Sequence, residues 1–124
     1  MSYEMTVTEK PGYLHVVVTG QNTLENVELY LRELKRECAA RRFTRVLIEE
    51  NLTGRRLETW DVYQIASQGS LGGLGKFEAL AYVDHNSHGD LMRFAQTVAN
   101  NRGIPLNVFA TVQEAEAWLQ KKVP

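Results

Sequence analysis

The chain opens on a two-residue alternation, Tyr3, Met5 and Val7 against Glu4, Thr6 and Thr8, which predicts a half-buried strand over Tyr3–Thr8. Lys10-Pro11-Gly12 reads as a turn, because proline presets its φ and glycine accepts a positive one. Tyr13–Thr19 is β-branched and almost continuously apolar, as expected of a strand covered on both faces. The opening is therefore a hairpin whose second strand lies inside a sheet. From Asn22 the period changes. Asn22-Thr23-Leu24-Glu25 reads as an N-cap with the acid of a capping box three places on. Leu24, Val27, Leu31, Leu34 and Cys38 then recur at alternating spacings of three and four, one apolar stripe on a helix ending near Arg42.

Arg45–Glu50 predicts a short strand, and Asn51–Arg56 a polar loop. Thr59 is placed to cap a second helix that stops at Gly69, followed by a glycine-rich connector, Ser70–Gly75. Phe77–Val83 reads as a strand, Gly89–Arg102 as a helix capped by Ser87 and stopped by Gly103, and Leu106–Ala110 as a further strand. Thr111 with Glu114 opens a last helix that carries Ala115, Trp118 and Leu119 inward. The order β-β-α-β-α-β-α-β-α predicts one α/β sandwich over residues 1–124, mostly parallel, with one antiparallel N-terminal strand.

Composition narrows the function classes. Fourteen Lys+Arg against fifteen Asp+Glu leave a net charge of −1, so no global field points to nucleic acid or an anionic membrane. Arg41, Arg42, Arg45, Arg55 and Arg56 lack interleaved aromatics apart from Phe43, which again argues against base stacking. Cys38 alone can form neither an internal disulfide nor a thiolate zinc site. No apolar run approaches a membrane span, and Met1-Ser2-Tyr3-Glu4 does not begin a signal peptide. The expected location is cytoplasmic.

The element order resembles the STAS domain, and most of all its SpoIIAA-like branch of anti-sigma-factor antagonists. Val108-Phe109 followed by Thr111–Leu119 (TVQEAEAWL) is similar to that branch's ending, and Leu74–Asp84 to its penultimate strand. The resemblance implies a non-enzymatic binding or regulatory module contacting a protein partner or a small apolar ligand, and no cofactor. Well-known members carry a phosphorylatable serine where the third strand meets the second helix. Here the matching stretch, Asn51–Asp61 (NLTGRRLETWD), has no serine, and Glu58 and Asp61 flank Thr59, where like charge disfavours a phosphate.

Ligands of open α/β sheets sit beyond the carboxyl ends of the parallel strands. That edge offers Asn22, Glu49, Glu50, Asn51, Asp84, His85 and His88, a polar and acidic set that also reads as helix caps and solvated turns. Asp84-His85-Asn86-Ser87-His88 could with Glu49 serve a small metal-assisted hydrolase, though turn chemistry accounts for the same residues. A Thr59-phosphorylated antagonist is the third reading. His15, inside an apolar strand, is expected to be a hydrogen-bonded structural histidine. Gly69–Phe77 is no phosphate loop, because it follows a helix, opens a strand and has Phe77 after Lys76. On the second helix Val62, Ile65 and Ala66 share a docking face, while Trp60, Tyr63 and Ser67 fall on another stripe. That stripe reads either as the interface for a partner or a second copy of the chain, or, for Trp60, as a staple over Leu52 and Leu57 of the preceding loop.

Overall fold

The computed structural model describes residues 3–54, 61, 77–84 and 89–122. Among them five strands form one sheet: β1 (Tyr3–Lys10), β2 (Tyr13–Gln21), β3 (Arg45–Thr53), β4 (Ala79–Asp84) and β5 (Leu106–Phe109). Three helices join them, α1 (Leu24–Arg41), α2 (Gly89–Asn101) and α3 (Val112–Lys122). The strands lie in the order β1-β2-β3-β4-β5. β1 runs antiparallel to β2 and every other pair is parallel, as the order of elements predicts. The helix expected over Thr59–Gly69 lies outside the described residues except for Asp61, which is helical.

Alternation along the strands sorts the core into two layers. Leu14, Val16, Val18, Val46, Ile48, Leu80 and Leu106 face α1 and α2. Leu47, Ala79, Ala81 and Val83 face α3, whose Ala115 and Leu119 are fully buried. Trp118 packs on Phe109 with ring centroids 5.5 Å apart. α1 buries Val27, Tyr30, Leu31, Leu34 and Cys38, each Val or Leu contributing about 1.5–3 kcal/mol of apolar transfer. Burial pushes the Cys38 thiol up to about 12, so it is an inert core group. No helix among the described residues is long and apolar enough to cross a membrane.

Tyrosine–glutamate pairs fasten helices to the sheet. The Tyr3 hydroxyl of β1 donates to Glu33 Oε1 of α1 at 2.6 Å, and that of Tyr13 in β2 to Glu116 Oε2 of α3 at 2.6 Å. Burial, then the carboxylate beside each, pushes both phenols up to about 12, so both remain donors. Of the arginines weighed as a basic patch, Arg41 bridges Glu9 and Glu37, and Arg45 pairs with Glu78 at 2.8 Å. Arg42 instead closes α1 in the left-handed region, φ 63°, while the Phe43 N–H donates to the Cys38 carbonyl. Arg55 and Arg56 lie outside the described residues.

The cap of α1 corrects the sequence reading by one position. Thr23, extended at φ −125° and ψ 152°, is the N-cap, and its Oγ1 accepts the Asn26 N–H at 3.0 Å. Asn22 stays outside the helix because its own N–H donates to the Thr53 carbonyl at 2.8 Å, tying it to the end of β3. Thr23→Ala is therefore expected to cost about 1 kcal/mol in urea unfolding. Asn22→Ala removes an acceptor with no hydrogen-bond partner and should cost less. The reverse ranking would show that the cap is misplaced.

Candidate functional site

At the carboxyl edge of the sheet, β2 and β3 run further than their sequences suggest. Gly20 and Gln21 pair with Leu52 and Thr53, so backbone hydrogen bonding carries both strands through residues that resemble a loop. Glu49, Glu50 and Asn51 are accordingly strand residues, not caps or solvated turns. The pleat divides them. Glu50 falls in line with Val46 and Ile48 toward α1, whereas Glu49 and Asn51 fall in line with Leu47 on the α3 side. The acidic edge expected as one surface is thus two, on opposite faces.

Glu50 is the centre of the first. It is only 4% exposed. Tyr30, 1% exposed on α1, donates its hydroxyl to Glu50 Oε2. From β4, Tyr82 presents a second hydroxyl to the same carboxyl, and Asp84 is the residue paired with Glu50 across the strands. Burial is the main force on this carboxyl and the Asp84 charge the next, while the two phenols oppose them. The result is a carboxyl pushed up to about 7. Both phenols are themselves raised well above their usual value, by burial first and then by the Glu50 charge. The cluster therefore holds two protonated phenols and an acid that changes charge near neutral pH.

On the opposite face, His15 Nε2 lies 3.0 Å from Glu49 Oε1, with both side chains partly buried. The histidine is hydrogen-bonded inside its strand, as the sequence predicts. Asn51 is exposed. Asn22 is half-buried, with its Oδ1 out of contact with any donor. Among the expected edge residues, the structure brings together Glu50 and Asp84, and separately sets Glu49 on His15. His85 and His88, like Trp60, Tyr63, Ser67 and Thr59, lie outside the described residues. No group of three His, Cys, Asp or Glu side chains placed to hold a metal occurs among the described residues.

Sequence reasoning missed Tyr30 and Tyr82, although both carried a signal. Tyr30 is three residues after Val27 and one before Leu31, within the apolar arc of α1. Tyr82 alternates with Leu80 and Asp84 along β4. Chemically, an acid with a pKa near 7 suits proton transfer at neutral pH. Here its partners are its own neighbours: the group is covered by Tyr30 and directed into the layer between α1 and the sheet.

No protein-family model and no curated protein sequence matches the chain. Among solved structures it is similar to an uncharacterized protein of the DUF3478 family from Shewanella loihica PV-4, which has a SpoIIAA-like fold. The two are 24% identical with a TM-score of 0.56, over 95% of this chain and 93% of that one. The chain has a SpoIIAA-like α/β fold.

Proposed function

We propose that the domain is a non-enzymatic binding or regulatory module of the SpoIIAA-like type, working in the cytoplasm through contact with a protein partner or a second copy of itself. The observation that carries this reading is the burial of Glu50. The acid whose charge is most finely balanced is committed to Tyr30, Tyr82 and Asp84 inside the fold. Acid–base catalysis by Glu50 would need the carboxyl presented to a substrate, and it is buried instead. Contact is assigned to the stripe Trp60, Tyr63 and Ser67, whose aromatics are of the type that anchors interfaces.

Sedimentation and thermal melting of the wild type and of a Trp60→Ala, Tyr63→Ala double variant test the reading. The wild type is expected to self-associate, and the variant to be a monomer melting within about two degrees of it, a shift worth well under 1 kcal/mol. A wild type already monomeric, which the substitutions merely destabilise, would assign both aromatics to the core. Hydrolytic activity dependent on a stoichiometric metal would overturn the non-enzymatic reading itself.

A further inference from the structure

Glu50 joins three elements. It stands on β3, receives the hydroxyl of Tyr30 from α1, and is paired across the strands with Asp84 of β4. The groups that face it can be named element by element. α1 supplies Tyr30, with neutral Asn26 one turn earlier, whose Nδ2 donates to the Gln21 carbonyl at 2.9 Å. β2 supplies Val18, the register partner of Glu50, and no charge. β4 supplies Tyr82 and Asp84. From α2, on the same face, Phe94 reaches this core and Arg93 is exposed. Among the described residues, then, two phenols and one carboxylate act on Glu50, and no cation compensates its charge.

We propose that Glu50 is a proton-operated latch for α1, holding the helix on the carboxyl edge of the sheet when neutral and loosening it when ionised. With its proton, the carboxyl can donate toward Asp84 while accepting from Tyr30, so the junction is closed by complementary hydrogen bonds. Without it, the buried Glu50 carboxylate confronts that of the half-buried Asp84. The nearest relief is movement of the Tyr30 end of α1, which readmits water to Glu50 at the expense of the Tyr30 hydrogen bond, whereas β3 and β4 are held to each other by their ladder. This latch operates whichever partner the module takes.

The direction follows from linkage. A carboxyl raised from 4.5 to about 7 stabilises the fold fully below its unfolded value and loses that contribution as pH rises through about 7. Between pH 5 and 8 the closed state should lose up to ~100-fold in its equilibrium.

The test is a ¹³C NMR titration of the Glu50 carboxyl in the full chain, with amide-exchange protection of residues 24–31 followed in parallel. The carboxyl is expected to titrate near pH 7, with protection falling between about pH 4.5 and 7 and levelling above it. In Glu50→Gln the protection should be flat over this range. Imidazoles ordinarily titrate in the same window, so the comparison with Glu50→Gln isolates the carboxyl. A Glu50 midpoint below pH 5, or an equal fall in the glutamine variant, overturns the proposal. Should that variant fail to fold, the wild-type titration decides: protection that falls up to the carboxyl's midpoint and levels above it supports the latch, and constant protection over that range overturns it.

Discussion

Tyr30→Ala is expected to cost about 3–5 kcal/mol, the range for removing a buried aromatic side chain. For a domain of this size that lowers the melting midpoint by at least about ten degrees. Two losses combine. The ring fills the space among α1, β2 and β3, and sits edge-on to Tyr3 at 6.4 Å between centroids. Its hydroxyl is also the donor that covers Glu50. Tyr30→Phe separates the two, because it keeps the ring and should cost only about 1–2 kcal/mol. The hydroxyl favours the ionised carboxyl, so its loss raises the Glu50 pKa further. Ionisation then becomes more costly to the folded state, and the deficit of Tyr30→Phe should be larger at pH 8 than at pH 5. Urea unfolding at both values checks this, and a deficit that is larger in acid would contradict the hydrogen bond assigned here.

Leu119→Ala is expected to cost about 2–5 kcal/mol on the other face of the sheet. Ala79 and Ala81 give that face a shallow floor, so α3 approaches closely and Leu119 fills the space beside Leu47 and Val83. Ala115 provides the other fully buried point of the helix. With Leu119 truncated, Trp118 on Phe109 and Tyr13 on Glu116 remain as attachments. Amide exchange over residues 112–122 should accelerate more than exchange in β3. Uniform acceleration would mean that α3 is released only with the whole fold.

The architecture was legible because hydrophobic period separates strands from helices, and because β-branched Val16, Val17 and Val18 have few alternatives to a central strand. The carboxyl ends were not. Thr19-Gly20-Gln21 and Asn51-Leu52-Thr53 have weak strand character singly, and each extends only because the other is there to pair with it. Ending β3 at Glu50 hid the alternation of Val46, Ile48, Glu50 and Leu52, and with it the burial of the acid. The site was therefore half legible. Glu50 and Asp84 were visible as acids at the right edge, but their neutralising environment comes from phenols 20 residues before one and two residues before the other. No linear spacing announces that environment.

The strand order has a consequence for how the chain comes off the ribosome. Each of the five described strands pairs with the one synthesised just before it, starting from the β1–β2 hairpin. No later strand is threaded between two earlier ones. Every ladder that forms on the nascent chain is thus one that the finished domain keeps, and each new strand adds to the border left by the one before it. Until β5 emerges that border is β4, whose Ala79-Leu80-Ala81-Tyr82-Val83 is an apolar edge open to pairing. The last strand, β5, closes that edge over Leu80–Val83.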